Sequence, residues 1–125
     1  LGSKNRKSFE KYILKIIDEY TPVLLLQRHT FKVKRGVEDK RSLFECLFNY
    51  PYLNVTIKYS DSSFKKWEHG KDLVPYIVHE MCHPVTDPLY QKALYRYVSK
   101  NEVNDEREIL TDHICNIALN KYKNN

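Results

Sequence analysis

The sequence predicts an α+β domain, and three observations carry that reading. Apolar residues recur at helical period near the start (Phe9, Ile13, Ile16, Ile17, Tyr20) and near the end (Leu110, Ile114, Ile117, Ala118). Leu53–Tyr59 alternates strictly, with Leu53, Val55, Ile57 and Tyr59 on one face and Asn54, Thr56 and Lys58 on the other. The strand signals all fall between the helical ones, which gives the order helix, strands, helix, helix, helix.

Each element has its own local reason. Leu1-Gly2-Ser3, with no initiator Met, reads as a tag remnant, so residues 4–125 are taken as one domain. Ser8 is the candidate cap of the first helix, and Thr21-Pro22 interrupts it. Val23–Lys34 reads as an apolar segment leading into a strand, where Phe31 and Val33 alternate with Lys32 and Lys34. Residues 36–40 form a turn, and Ser42–Asn49 suits helix or strand equally. The one-sided alternation of Leu53–Tyr59 fits an antiparallel or edge strand. Asp61-Ser62-Ser63 reads as a loop.

Beyond Gly70, Asp72 is the candidate cap of a helix with Pro75 in its first turn. Pro84 lacks an N–H and disfavours helix at the residue before it, so that helix is expected to end or kink at His83. Asp87 would then cap a following helix with Leu89, Ala93, Leu94 and Tyr97 on one side. The last helix is expected to begin near Asn104 or Asp105 and run to about Tyr122.

The composition excludes several classes. No apolar run approaches the roughly 18 residues of a membrane span; Val23–Leu26 is the longest. The three cysteines, Cys46, Cys82 and Cys115, are odd in number and form no CxxC pair, which argues against a disulfide framework and for a reducing cytoplasm. Lys and Arg outnumber acids by six over residues 1–70, while acids lead by one over residues 71–125. A basic first half suits an acidic partner or nucleic acid. Its charges are scattered and not interleaved with aromatics, so a solvated lysine-rich surface accounts for them as well.

The chemistry concentrates in "VHEMCHPVTDPLY", from Val78 to Tyr90. His79 and His83 stand four apart and face the same way on a helix, about 40° from each other. Two imidazoles so placed converge on one zinc ion. Glu80 sits beside the first histidine, where it can hold a zinc-activated water and take its proton. Cys82 points about 100° away from His83 and is not required as a ligand. A catalytic zinc needs a third protein ligand. Glu106, Glu108, Asp112 and His113 are the downstream candidates. On a helical wheel Glu108 and Asp112 share an arc with Cys115 and Leu119, whereas Glu106 and His113 lie off it. Glu108 is the best third metal ligand, and Asp112, one turn on, is placed to accept a histidine N–H and fix its tautomer.

HExxH followed by a helix bearing E-x-x-x-D, here Glu108-Ile109-Leu110-Thr111-Asp112, resembles the gluzincin zinc metallopeptidases. The 25-residue interval from His83 to Glu108 is similar to theirs. Over roughly residues 53–120 the chain is most similar to minimal single-domain gluzincins and to short phage-encoded metallopeptidases. The resemblance implies a small zincin-like domain, with a short antiparallel or mixed sheet, an edge strand packed on the HExxH helix and a C-terminal ligand-bearing helix. It implies peptide-bond hydrolysis with Glu80 as general base, and a peptide substrate laid along Leu53–Tyr59. His113, Tyr95 and Tyr97 are candidates for oxyanion stabilisation, and nothing selects among them.

Two other functions are compatible with the motif. "HEMCH" also resembles SprT-type proteases that act on DNA-associated proteins, but those use a third histidine in a Gly-rich context that this sequence lacks. The other is a non-enzymatic, zinc-stabilised phage or mobile-element protein that binds a host protein or nucleic acid. Glu80 speaks against that reading, since a structural zinc needs no adjacent carboxylate and takes four protein ligands.

Overall fold

The computed structural model describes residues 5–49, 51–93 and 100–123. Four helices and a three-stranded mixed sheet form an α+β domain. The tag-like residues 1–3 lie outside the described residues, as do Leu94, Tyr95 and Tyr97.

Helix α1 (Arg6–Tyr20) buries the face its periodicity marks out: Phe9, Ile13, Ile16, Ile17 and Tyr20. Its cap is Asn5, not Ser8. The Asn5 side chain accepts the Ser8 N–H at 2.9 Å, so Ser8 is the donor in the first turn. After the helix Leu25 adopts a left-handed φ of 58° and is 79% exposed.

Strands β1 (Thr30–Arg35), β2 (Phe44–Phe48) and β3 (Asn54–Tyr59) lie in the order β1-β3-β2. β1 runs parallel to β3 and β2 antiparallel to it. The expectation that Leu53–Tyr59 forms an edge is therefore corrected: β3 is the central strand. Its polar residues do not mark an edge; Asn54, Thr56 and Lys58 line the face of the sheet opposite its buried residues. Val55, Ile57 and Tyr59 are buried beneath the helices, while Lys32, Lys34 and Lys58 share the opposite face. Ser42–Asn49, ambiguous by pattern, supplies the edge strand β2.

One hydrogen bond sets the phase of β2. The Ser60 N–H donates to the Leu43 carbonyl at 3.0 Å. Antiparallel alternation then turns the backbone groups of Leu43, Glu45 and Leu47 toward β3. Those of Phe44, Cys46 and Phe48 face the free edge.

Asp61-Ser62-Ser63 opens a helix, α2 (Asp61–Glu68), and not a loop. Ser60 caps it by accepting the Ser63 N–H at 3.1 Å. A stretch of Ser and Asp suits a turn or a helix start equally, and the residues C-terminal to it decide between the two. Phe64 and Trp67 from α2 join Phe9 and Tyr59 in an aromatic cluster, with the Phe9 ring 5.0 Å from Tyr59 and 5.1 Å from Trp67.

Helix α3 (Val74–Ala93) contains both Pro84 and Pro88. The break expected at His83 does not occur. Leu73, Ile77, Val78, Met81 and Cys82 are fully buried. Thr86 donates to the His83 carbonyl at 3.3 Å and meets Thr111 of the last helix at 3.0 Å. Burial of this face outweighs the local cost of proline, which is about 3 kcal/mol for one lost bond and one clash. Asp87 consequently caps nothing and lies within α3. Asp72 sits two residues before the helix, accepting the Val74 N–H at 3.0 Å.

Helix α4 (Lys100–Lys123) starts earlier than the sequence suggests. Its buried stripe is Thr111, Cys115, Ala118 and Leu119, with Ile114 partly covered. Leu110 and Ile117, expected in the core, are exposed, Ile117 to 61%. No helix among the described residues is long and apolar enough to cross a membrane.

Candidate metal centre

Three elements meet at the HExxH residues: α3 carries them, α4 crosses α3, and β2 closes the third side. His79, Glu80 and His83 each offer a ligand atom, and these atoms all lie within 4.8 Å of one another. The two imidazole rings stand edge to face, 5.1 Å apart.

α4 brings Glu108 across to both histidines. One carboxylate oxygen is 3.7 Å from His79 Nε2 and the other is 4.0 Å from His83 Nε2. Asp112, one turn further, lies 2.8 Å from His79 Nδ1. The two nitrogens of His79 thus have different partners: Nδ1 faces Asp112 and Nε2 faces Glu108. Glu106 and His113 are both exposed, in keeping with their places on the wheel.

The Glu80 side chain is largely buried, 15% exposed, against 40% for Glu108. Burial raises its pKa from 4.5 to about 7. The positive charge of His83 lowers it, Glu108 and Glu45 raise it, and the Cys46 backbone N–H, facing the free edge of β2, donates to the carboxylate and lowers it. Burial pushes the pKa of His83 down, but Asp87, Glu80 and Glu108 together outweigh burial and hold it above the usual value.

Two residues of the centre escaped the sequence reading. Asp87 lies 3.7 Å from His83 Nδ1, an i,i+4 pair on α3. Its position was legible from the spacing alone, but the expected break at Pro84 moved it onto another helix. Arg107 is 3.7 Å from Asp87 and 3.4 Å from Glu108, and it donates to Asn104 at 2.7 Å. No sequence signal marks it beyond its place next to Glu108.

A cavity of about 280 Å³ holds His79, Glu80, His83 and Glu108, with Phe44 and Cys46 of β2 on its wall. Larger clefts continue from it in two directions. One, of about 550 Å³, is bounded by Phe44, Pro75, Tyr76 and Leu119. The other, of about 560 Å³, is bounded by Cys46, Phe48, Tyr52 and Arg107. β2 is common to all three.

The donor set suits zinc. Tetrahedral zinc with nitrogen and oxygen ligands at 2.0–2.1 Å places ligand atoms about 3.4 Å apart. The Glu108 oxygens stand a few tenths of an ångström beyond that separation from the two Nε2 atoms. Two imidazoles and one carboxylate, with further carboxylates near the rings, are donors of the kinds zinc accepts. Comparison of the chain with protein-family models, with curated proteins and with solved structures gives no significant match.

Proposed function

We propose that the chain is a zinc metallopeptidase of gluzincin type, built on a small zincin-like domain. The observation that carries this is the convergence of His79 Nε2 and His83 Nε2 on the two oxygens of Glu108, at 3.7 and 4.0 Å, beside the buried carboxylate of Glu80. His79, His83 and Glu108 are the ligands in this reading.

Zinc, when bound, supplies a Lewis acid that acidifies water and polarises a carbonyl. Glu80 accepts the proton of the attacking water and delivers it to the leaving amine. The substrate is an extended peptide that pairs with the outward backbone groups of Phe44 and Phe48, so the edge strand of the mechanism is β2 and not Leu53–Tyr59. The two clefts flanking the cavity give room for side chains on either side of the cut bond. All three cysteines are free thiols, which supports a reducing compartment such as the cytoplasm.

A second reading keeps the metal without the chemistry: a zinc-stabilised module that binds nucleic acid or a host protein. The lysines that share the outer sheet face, Lys32, Lys34 and Lys58, favour it. The desolvated Glu80 favours catalysis.

Elemental analysis of the purified protein and of Glu108→Gln tests the centre. About one zinc per chain, lost or sharply weakened in the variant, is expected. No zinc after supplementation sinks the proposal. Zinc retained in Glu108→Gln moves the third ligand to another carboxylate of the centre, Glu80 or Asp112. Cleavage of an unstructured protein by the zinc form, blocked by a chelator and restored by zinc, separates the peptidase from the binding module.

A further inference from the structure

His79 has a close carboxylate partner on Nδ1. His83 lacks one at hydrogen-bond distance, yet a carboxylate is buried beside it. The Asp87 side chain is 13% exposed, as is that of His83. Asp87 Oδ1 is buried with no hydrogen-bond partner. A buried carboxylate oxygen in that state carries a desolvation cost that a donor would relieve. Two donors stand near it, each at 3.7 Å: His83 Nδ1 and Arg107 Nη1. Either lies beyond hydrogen-bond length by about half an ångström.

We propose that Asp87 is the positioning residue of His83, taking its Nδ1–H so that Nε2 is the bare nitrogen turned toward the metal centre. The inference rests on the metallopeptidase reading for its purpose, but the placement of the proton is a property of the metal-free chain. Asp87 reaches His83 because α3 runs unbroken through Pro84, which keeps the two residues one turn apart. Arg107 Nη1 stands 3.7 Å from the same Asp87 oxygen. The centre then holds two histidines backed in the same manner by carboxylates from different helices, Asp112 from α4 and Asp87 from α3 itself. Such partners raise the basicity of a ligand and fix its ring.

Long-range proton–nitrogen correlation spectra of the metal-free protein at alkaline pH read the tautomer of His83 directly. The proton is expected on Nδ1 in the parent and on Nε2 in Asp87→Ala. A proton on Nε2 in the parent overturns the proposal without any variant, and so does an unchanged tautomer in Asp87→Ala, which would assign Asp87 to Arg107 alone. In zinc competition against a chromogenic chelator, Asp87→Ala is expected to bind about 10–100-fold more weakly. Asp87→Asn, whose amide oxygen accepts the same proton, is expected to recover part of the loss. Equal zinc affinity in parent and Asp87→Ala overturns the positioning role. A parent that binds no zinc defeats the metallopeptidase reading, while the tautomer still decides the role of Asp87.

Discussion

Asp112 Oδ1 stands 2.8 Å from His79 Nδ1, the shortest of the polar contacts described between the C-terminal helix and the HExxH helix. The contact fixes which nitrogen of His79 carries the proton and leaves Nε2 facing Glu108. Replacing Asp112 by Ala removes that restraint without touching a proposed ligand. We expect zinc affinity to fall about 10–100-fold, with stability in the zinc-free state changing little, since the Asp112 side chain is 65% exposed. Chelator competition measures the first and urea denaturation the second. An unchanged affinity would show that the pair holds two helices together and does nothing for the centre.

Glu80→Gln separates metal binding from chemistry. The amide keeps the shape of the carboxylate but cannot accept the water's proton. Zinc content is expected to match the parent, while kcat on a peptide substrate falls by about 10²–10⁴-fold. Loss of zinc in this variant would instead make Glu80 a ligand, which its place within 4.8 Å of both histidines allows geometrically.

The same residue sets a pH dependence in the zinc-free chain. Its pKa is raised in the folded state, to about 7 from 4.5. The folded protein therefore binds this proton more tightly than the unfolded chain. Stability from this group is fully present below about pH 4.5 and is lost as pH rises through about 7. The shift corresponds to about 3 kcal/mol, an order-of-magnitude figure for a largely buried group. His83, also raised, acts in the same direction, its contribution lost as pH rises through a folded pKa above the usual histidine value. Denaturation of chelator-treated parent and Glu80→Gln at about pH 5 and about pH 8 checks this. The variant should lose less stability between the two; equal losses would remove Glu80 as the cause.

Leu25 offers a test of the fold away from the centre. Its left-handed φ of 58° costs a side-chain-bearing residue roughly 1–2 kcal/mol, and its 79% exposure leaves little packing in return. Leu25→Gly should raise the unfolding free energy, read as a higher urea midpoint, by up to about 1 kcal/mol after the added freedom of the unfolded glycine is subtracted. A lower midpoint would mean that the leucine contributes packing that offsets its backbone strain.

Local pattern carried some elements and failed at others for physical reasons. The α1 stripe was legible because five apolar residues at helical period can only bury together. β3 was legible as a strand but not as the central one. Alternation reports that one face is buried, and says nothing about which strands lie on either side. The break expected at Pro84 failed because a proline's local cost competes with the burial of a whole helical face, and that face is assembled by α4, distant in sequence. Asp87 was misassigned as a consequence. Glu108 and Asp112 were placed together by the wheel because both lie on α4, one turn apart, where local geometry suffices. Arg107 and the Cys46 N–H were not legible, since both reach the centre through tertiary packing alone.

Among the described residues, the two outer strands of the sheet are guarded unequally. β1 carries Lys32, Lys34 and Arg35, charges that repel a second strand of the same kind. β2 carries Glu45 as its one charge, and its Leu47 is 45% exposed. A backbone edge left open to a peptide is equally open to the matching strand of another copy. A strand added at β2 would lie beside the very residues proposed to cut. Such a strand and a substrate would need the same outward backbone groups of Phe44 and Phe48.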